Sequence, residues 1–400
     1  MRDLTASQRK IIGSERHVWP NELAFAEAIY AERLELIQED ILARGLSVVI
    51  LFDPENMYWL TGYQTIGYFT FQAMCIPASG KPVIVTRVVN RDMALALPTI
   101  GNAISVFDTQ DHVDILEAYL KDTVPTGQIG IDTTSRYLNI CDYTRLVDRL
   151  GGRFKPFINV IEAHRMVKTS CELDRMRTAA SAVKAGIDAA LKMIAVGKTD
   201  NDLAAALYQG SIAAGSEYIG HPPMVVTGPR SELCFALWKR NTIEKGDVVL
   251  LEGAGCVDRY HAMMSRSAVV GKATDEHKAT ADALVEILET AIDTIKPGVT
   301  AGEVDFACRQ KVEKRGLGQY FKSRTAYGIG IGFPPNWAEG HIYSLRPNDP
   351  MVLQPNMTFH VIPTMFRTGF GMAISDSVRV TEDGCEVLTN YPRDLMEIDA

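Results

Sequence analysis

The sequence lacks any apolar run long enough to cross a lipid bilayer, and it lacks the excess of positive charge typical of nucleic-acid-binding proteins. A membrane-spanning helix needs about 18 or more mostly apolar residues, whereas the formal net charge here is -8. Residues 1–20, MRDLTASQRKIIGSERHVWP, also lack the apolar core of a secretion signal. We therefore expect no nucleic-acid partner, no membrane association and a cytoplasmic location.

Cysteine pairs with metal-binding or redox spacing are also missing. The 7 cysteines are scattered without a CxxC motif, which predicts reduced thiols rather than a disulfide framework. The composition, 46% hydrophobic and 22% charged, is that of an ordinary folded protein and excludes a disordered chain. With 400 residues, the chain can form two or three domains.

Two regions of different periodicity follow one another along the chain. Up to about residue 160, helix and strand signals alternate, with a helix near 21–44 and strands at 46–52, 71–76 and 82–87. Farther along, long amphipathic helices are predicted at 170–194 and 275–295. The patterns predict an α/β domain over residues 1–162 and a second domain over residues 163–400.

The segment 246–267, GDVVLLEGAGCVDRYHAMMSRS, is the most informative part of the sequence. Two apolar stretches flank Gly253-Ala254-Gly255, which predicts a β-hairpin with a glycine-rich turn. The first strand ends in Glu252, where a purely structural strand would carry another Val or Leu. A carboxylate in this setting indicates a functional position.

This hairpin resembles that of the pita-bread family, the M24-type proteins that include methionine aminopeptidase, aminopeptidase P, prolidase and creatinase. The segments 53–63 and 166–177 resemble the family's N-terminal domain and the start of its catalytic domain. The resemblance implies an α/β (α+β) fold, with a creatinase-type N-terminal α/β domain followed by a pita-bread catalytic domain.

The family's five metal-ligand positions can be matched one by one, and all five differ in this chain. They are occupied by Glu252, Met263, Ile329, Ile362 and Ser375. A divalent metal needs several converging oxygen or nitrogen donors, and this set offers one strong donor. The resemblance therefore implies a member of the family that uses no metal and no cofactor.

Glu252 is the main candidate for chemistry. The matched cavity positions around it are apolar and include Met263 and Phe235, so its pKa should be raised unless a cation binds. The alternative is a carboxylate in a salt bridge to Arg266 or Arg259. An amidinium or guanidinium would form a bidentate pair with Glu252, which could then act as nucleophile or base in metal-free C–N cleavage.

Strand alternation predicts further residues that face the same cavity. His261 lies on one face with Met263 and Ser265, and His360 shares a face with Ile362. The two histidines are candidate catalytic groups or, alternatively, hydrogen-bonded core residues. Asp376 could provide a second anchor for a cation, and Arg324 could bind the carboxylate of a zwitterionic substrate.

Within the family, three segments resemble the ectoine hydrolases, which open the cyclic amidine ring of ectoine or 5-hydroxyectoine to N-acetyl-2,4-diaminobutyrate. These are Glu252 in its hairpin, YGIGIGFPPNW at 327–337 and FHVIP at 359–363. The resemblance implies a small zwitterionic amidine substrate, with contacts from Tyr327, Phe333 and Trp337.

Other functions remain open at this point. One is a different metal-free amidine or amidino hydrolase of creatinase type, and another is a non-catalytic binding module. Creatine itself is a poor candidate, because Phe235 stands where creatinases carry a catalytic histidine.

The resemblance to creatinases also implies a homodimer in which the first domain of one subunit completes the active site of the other. The matching segment is 67–71, GYFTF, which makes Tyr68 and Phe69 candidate substrate contacts. Alternatively, both side chains pack in the core of the first domain.

Overall fold

The computed structural model describes residues 21–399. The chain forms two compact units, Met1–His164 and Arg165–Ala400, which divide two residues beyond the expected position. Among residues 21–399, no helix combines the length and the apolarity that a bilayer crossing requires.

The first unit is an α/β domain built on one mixed sheet. Its helices are α1 (Glu27–Ala43), α2 (Pro54–Thr61), α3 (Arg91–Leu95), α4 (His112–Thr123) and α5 (Ile140–Leu150). Its strands are β1 (Leu46–Leu51), β2 (Gln72–Pro77), β3 (Val83–Arg87), β4 (Asn102–Val106), β5 (Gln128–Ile131) and β6 (Phe154–Pro156). Short 3-10 turns occupy Ile66–Phe69 and Val88–Asn90. The strand order is β4-β3-β2-β1-β5-β6, and the predicted strands at 46–52, 71–76 and 82–87 correspond to β1, β2 and β3.

The core of the first unit forms between this sheet and its two amphipathic helices. Val48 and Ile50 of β1 pack in one cluster with Leu116 and Leu120 of α4 and Leu146 of α5. The β-branched run of β1 suits a strand buried on both faces, and for that reason this strand was predicted clearly.

The second unit begins in α6 (Val160–Met166) and continues with α7 (Ser170–Met193), α8 (Asp200–Ala213), α9 (Asp275–Thr294) and α10 (Ala301–Lys314). Its longer strands are β7 (Met224–Thr227), β8 (Val248–Val257), β9 (Tyr260–Val270), β10 (Ala326–Phe333), β13 (Thr358–Val361) and β16 (Asp376–Val380). Shorter strands are β11 (Asn336–Ala338), β12 (Ser344–Leu345), β14 (Thr364–Arg367), β15 (Phe370–Ala373), β17 (Cys385–Val387) and β18 (Met396–Ile398). Two 3-10 turns lie at Gly228–Glu232 and Gly318–Tyr320.

A large curved sheet organises the second unit, in the order β17-β16-β13-β10-β9-β8-β7. The helices α7 and α9 begin and end within one residue of the predicted 170–194 and 275–295. Both are fixed at their N-termini by side chains: Thr169 and Glu172 form a capping box on α7, and Thr274 and His277 form one on α9.

The hairpin of β8 and β9 forms as expected, but its turn lies elsewhere. Val257 pairs with Tyr260 across a two-residue turn, Asp258-Arg259, and both turn residues have positive φ, 48° and 62°. That is the geometry of the tight turn that matches the twist of a hairpin. The prediction of a turn at Gly253–Gly255 was wrong. These glycines lie inside β8, where a Cβ on Gly255 would come within 2.0 Å of the Ala179 carbonyl oxygen of α7.

Candidate active site

Glu252 lies in the middle of β8 with only 4% of its surface exposed. It is the cross-strand partner of Ser265 on β9 and of Met224 on β7, so its side chain shares a face with those two residues. Among residues 21–399, no hydrogen-bond or ion-pair partner contacts its carboxylate. Burial raises the pKa of Glu252 to about 8. The carboxyl group is therefore largely protonated near neutral pH unless a cation binds beside it.

The alternative of a salt bridge from Glu252 to Arg266 or Arg259 is wrong, because both guanidinium groups have other partners. Arg266 donates to the Asp376 carboxylate at 3.0 Å and to the carbonyl oxygens of Ser265 and Ser375. Arg259 donates to the Gly332 carbonyl oxygen at 2.6 Å.

A continuous row of hydrogen bonds lies on the same side of the sheet as Glu252. Trp337 Nε1–H donates to Tyr327 Oη at 3.2 Å, and Tyr327 Oη lies 2.7 Å from His360 Nδ1. His360 Nε2 lies 2.7 Å from Ser375 Oγ, which is 2.6 Å from Ser265 Oγ. The main-chain N–H of Ser265 also donates to Ser375 Oγ, at 2.7 Å. The row therefore runs from an indole to the hydroxyl opposite Glu252.

The imidazole of His360 is neutral in this setting. Burial, and after it the charge of Arg266, lowers the pKa of His360 to about 3. Each ring nitrogen faces a hydroxyl group, which can donate or accept, so either tautomer satisfies the site.

Tyr327 lies between two groups of opposite charge. Its pKa is raised well above the ordinary value, first by burial and then by the negative charge of Glu252, while the charge of Arg324 acts in the other direction. The Arg324 guanidinium lies 5.2 Å from the centre of the Tyr327 ring. Arg324 donates to the Gly340 carbonyl oxygen at 3.3 Å, and no carboxylate within residues 21–399 pairs with it. The charges of Glu252 and Arg324 thus act on the Tyr327 hydroxyl in opposite directions.

His261, expected as a catalytic candidate, has a structural position instead. Its Nε2 accepts the main-chain N–H of Gly220 at 2.9 Å, and its Nδ1 lies 2.9 Å from the Arg259 carbonyl oxygen. Burial, followed by the charge of Arg259, lowers the pKa of His261 well below its ordinary value. Because both nitrogens are used by the main chain, this neutral ring has no atom left for a substrate.

Asp376, expected as a second anchor for a cation, points away from the group around Glu252. Its carboxylate accepts from Arg266 at 3.0 Å, from Arg393 at 2.9 Å and from the Thr389 hydroxyl at 3.0 Å. Ser375, the residue before it, faces Ser265, and neighbouring residues of a strand point to opposite faces. Binding a ligand would require Asp376 to give up two ion pairs, so this expectation is corrected.

Besides Tyr327, three aromatic residues were expected to line the cavity, and the structure separates them. Trp337 is buried, stacks on His221 at 3.7 Å and bonds to Tyr327, so it belongs to the group. Phe333 is fully buried, and the Arg259 guanidinium lies 4.8 Å from the centre of the Phe333 ring. This position corrects the expectation that Phe333 contacts a substrate. Phe235 is 73% exposed with φ of 63°, so it does not form a buried wall.

Met263 and Ile362, which stand at two of the family's ligand positions, remain apolar lining. Met263 is fully buried on the same face of the hairpin as Glu252, since its partner Ala254 lies two residues along β8. Ile362 follows β13 and is 9% exposed.

Tyr68 and Phe69 lie in a 3-10 turn of the first unit. Tyr68 is buried edge-on to Tyr137, with ring centres 5.7 Å apart, whereas Phe69 is 77% exposed. Of these two side chains, Phe69 is the one with an exposed ring. The homodimer itself stays a prediction.

Sequence reasoning placed Ser265 on the cavity face without giving it a role, and it missed Ser375 and His221 as members of the site. Ser375 was noted only as a lost metal ligand, although a hydroxyl at a position that faces the cavity is itself a signal. His221 carried no motif that could have identified it, because its stacking on Trp337 depends on a contact across 116 positions of the chain, 337 minus 221.

The residues present do not fit a divalent metal ion. The five positions that the resemblance equates with ligands hold one carboxylate, one hydroxyl, a thioether and two alkyl groups. The Ser375 hydroxyl is already bonded to His360 and Ser265. Within residues 21–399, no three or more His, Cys, Asp or Glu side chains cluster in a way that could hold a metal.

Comparisons with known proteins agree with the fold and the domain order. The chain is 29% identical to ectoine hydrolase from Halomonas elongata, over 93% of this chain and 98% of that protein. It is 27% identical to the probable dipeptidase PepE of Mycobacterium tuberculosis, over 94% of this chain and 98% of that protein. Among solved structures, a prolidase from Thermococcus sibiricus superposes with a TM-score of 0.83 at 23% identity, covering 92% of this chain and 99% of that one.

Two family models match successive parts of the chain. The creatinase/prolidase N-terminal domain matches residues 33–167, and metallopeptidase family M24 matches residues 174–382. The hydrolase activities named for the relatives support an enzyme. The chain thus belongs to the M24 family, with a creatinase-type N-terminal domain ahead of its pita-bread catalytic domain.

Proposed function

We propose that this hydrolase opens the cyclic amidine ring of ectoine or 5-hydroxyectoine to give N-acetyl-2,4-diaminobutyrate, without a metal and with Glu252 at the reacting carbon. The observation that carries the proposal is the buried carboxylate of Glu252, which has no partner among residues 21–399 and stands where the family pattern has a metal ligand. The likeness to the Halomonas elongata ectoine hydrolase supports the same substrate class.

The charges of the site suit a small zwitterion. An amidinium beside Glu252 would lower the raised pKa of that carboxylate and would form a bidentate pair with it. The substrate carboxylate would bind Arg324, which lacks an acidic partner among the described residues. Tyr327, which is electrostatically coupled to both, would lie between the two ends of the ligand.

The chemistry requires a C–O bond to form at the amidine carbon and a ring C–N bond to break. Glu252 can attack that carbon itself, giving an ester-like adduct that water then cleaves, or it can accept a proton from an attacking water. In both routes the leaving ring nitrogen must gain a proton. The product is an amide and a free amine, so one water molecule is consumed.

The dipeptidase relatives suggest peptide cleavage as a second activity, but the residues at the five matched ligand positions do not support it. Peptide cleavage in a metallopeptidase relies on bound metal to polarise the carbonyl group and activate water. The donor set at the five matched positions offers no such site. A guanidino acid remains a reasonable rival substrate, because Glu252 and Arg324 would bind its two charges in the same way.

The test is turnover of ectoine by purified, chelator-treated protein, followed as release of N-acetyl-2,4-diaminobutyrate by mass spectrometry. Glu252→Gln keeps the shape of the side chain but can neither attack nor accept the proton. We expect it to lower kcat by at least about 10²-fold. Glu382→Gln, which changes an exposed carboxylate in a surface turn, is the matched control and should retain wild-type turnover.

The contrary outcomes separate the rival functions. Turnover that depends on added divalent metal, or that survives in Glu252→Gln, would refute the mechanism. Cleavage of creatine or a related guanidino acid, with ectoine inert, would move the assignment to the amidino hydrolases. Failure to cleave either class would support a non-catalytic binding module.

A further inference from the structure

Four side chains on the face of the sheet that carries Glu252 form one row of hydrogen bonds. They are Ser265, Ser375, His360 and Tyr327, with successive distances of 2.6, 2.7 and 2.7 Å. Ser265 is the cross-strand partner of Glu252, and cross-strand side chains on one face have Cβ atoms about 4.5–5.5 Å apart. At the other end, the charge of Glu252 contributes to the raised pKa of Tyr327. The Ser265 end of the row therefore faces the carboxyl group, and the Tyr327 end responds to its charge.

We propose that these four residues form a proton relay in which His360 changes tautomer without becoming charged. The proposal rests on the function proposed above and assigns the group that protonates the leaving nitrogen. That group is the Tyr327 hydroxyl, resupplied through His360 from Ser265 and Glu252.

The hydrogen-bond partners allow two arrangements of the row. Ser375 Oγ always accepts the fixed N–H of Ser265 and has one further acceptor position and one proton. In the first arrangement, Ser265 donates to Ser375, Ser375 donates to Nε2 of His360, and Nδ1–H donates to Tyr327. Since Tyr327 Oη also accepts from Trp337, its own proton points out of the row.

In the second arrangement every bond reverses. Tyr327 donates to Nδ1, Nε2–H donates to Ser375, and Ser375 donates to Ser265, whose proton now points out of the row at the other end. Each arrangement leaves one outward-pointing proton, at Tyr327 or at Ser265. In both arrangements every proton inside the row has an acceptor, and the two differ in which end carries the outward-pointing proton.

The proton balance closes over one turnover. Glu252, protonated after taking a proton from water, gives that proton to its cross-strand neighbour Ser265 Oγ, across a hydrogen bond that forms only in the substrate complex. Each member then passes its own proton on, and Tyr327 gives its proton to the ring nitrogen as the C–N bond breaks. The row ends in the second arrangement and Glu252 is again a carboxylate. A return of the row to the first arrangement, with solvent exchange at its ends, resets the site.

A neutral imidazole is needed for this relay, and the structure supports one. Burial and the charge of Arg266 lower the pKa of His360 to about 3, so protonation to imidazolium is unfavourable at neutral pH. Tyr327, whose pKa is raised, keeps its proton until a base is presented to it. No member of the row carries a lasting charge.

The experiment is ¹⁵N NMR of the histidine-labelled full-length protein, which distinguishes a protonated from a bare ring nitrogen. The His360 signals are identified by their loss in His360→Gln. In the wild type we expect averaged shifts from two exchanging tautomers. Ser265→Ala leaves His360 as the only acceptor for Ser375 and should move the ring toward Nδ1–H. Tyr327→Phe removes the acceptor at Nδ1 and should move the ring toward Nε2–H.

A matched control lies two residues after Ser375. Among the described residues, the Ser377 hydroxyl bonds to the main chain of Met263 and not to His360, so Ser377→Ala should leave the tautomer populations unchanged. Opposite shifts in the two relay variants support the proposal. The same tautomer in both, or a single fixed tautomer throughout, would overturn it.

Kinetics separate this inference from the proposed substrate. If ectoine is turned over, Ser265→Ala should lower kcat by about 10- to 10²-fold with little change in KM. Full kcat in that variant would overturn the relay even if the tautomers shift. If the wild type is inert toward ectoine while the tautomers shift in opposite directions, the substrate proposal fails and the relay is upheld.

Discussion

The buried carboxyl group of Glu252 lowers the stability of the ligand-free protein. The same group is the one proposed to act on the substrate. A buried carboxylate without a cation holds its proton in the folded state at a pH where the unfolded chain has lost it. Burial without a partner, rather than any nearby negative charge, raises the pKa of Glu252 to about 8. A carboxyl group whose pKa is shifted this far by burial is typical of a functional residue, and it lowers the stability of the folded protein.

The free energy of unfolding should therefore depend on pH through the ionisation of Glu252. Its folded-state pKa of about 8 exceeds the ordinary 4.5, so stability falls as pH rises from about 4.5 to about 8. At roughly 1.4 kcal/mol for each pKa unit, the loss is at most about 5 kcal/mol. Glu252→Gln should lack this loss and be several kcal/mol more stable than wild type at pH 8, measured by urea unfolding across pH 5–9.

The surface substitution Glu382→Gln serves as the reference for that measurement. It removes an exposed carboxylate and should follow the wild-type curve. If the free energies of unfolding of wild type and Glu252→Gln change with pH in parallel, the carboxyl group of Glu252 has an ordinary pKa. The conclusion that burial raises its pKa would then be wrong.

The hairpin of β8 and β9 is the element that brings the site together, and its position depends on close packing against α7. The backbone of Gly255 lies against that helix, where an added Cβ would meet the Ala179 carbonyl oxygen at 2.0 Å and the Val183 nitrogen at 3.0 Å. Backbone atoms cannot move aside as a flexible side chain can. Gly253, two residues away, faces only the Leu207 side chain, at 3.2 Å.

Two substitutions test this packing. We expect Gly255→Ala to lower the free energy of unfolding by about 3 kcal/mol or more, because overpacking forces the strand away from the helix. Gly253→Ala should change it by less than about 1 kcal/mol, since Leu207 can shift and alanine reduces the entropy of the unfolded chain. Similar losses in both variants would show that the contact with α7 does not restrict this strand.

At the scale of the whole molecule, a buried charge network holds the start of the second unit to its sheet. Glu339 accepts from Arg165 and from Lys168, each at 2.6 Å, and all three side chains are nearly fully buried. Burial alone would raise the pKa of Glu339, but the charges of Lys168 and Arg165 lower it below the ordinary value. Its contribution to stability is therefore present above about pH 4 and is lost as pH falls farther.

Breaking this network should cost far more than breaking a similar one at the surface. Glu339→Gln leaves two buried cations facing a neutral amide, so we expect a loss of about 3–5 kcal/mol at neutral pH. Glu386 is the matched control, because it also binds two arginines, Arg177 and Arg379, but its side chain is 33% exposed. Glu386→Gln should cost about 1 kcal/mol or less by urea unfolding. Equal losses would contradict a dominant effect of burial.

The sequence by itself determined the fold and the loss of metal donors. Strand alternation and motif spacing sufficed for the order of the two domains, for the hairpin and for the position of Glu252 among apolar residues. The helices and strands follow from periodicity within short stretches of neighbouring positions, whereas the types of the two domains and the loss of metal donors are what the resemblance to the pita-bread family implies. The prediction of a turn at Gly253–Gly255 was wrong because glycine also serves close packing, which involves a helix far away in sequence.

Only the tertiary structure decided what the other polar residues do. Alternation shows which face a side chain occupies, but not which partner it meets there. His261 and His360 looked alike in sequence, yet one is bonded to main-chain atoms and the other to two hydroxyl groups. The bond between Ser265 and Ser375 spans 110 positions of the chain. Such contacts arise when separate strands pack together, and no local pattern encodes them.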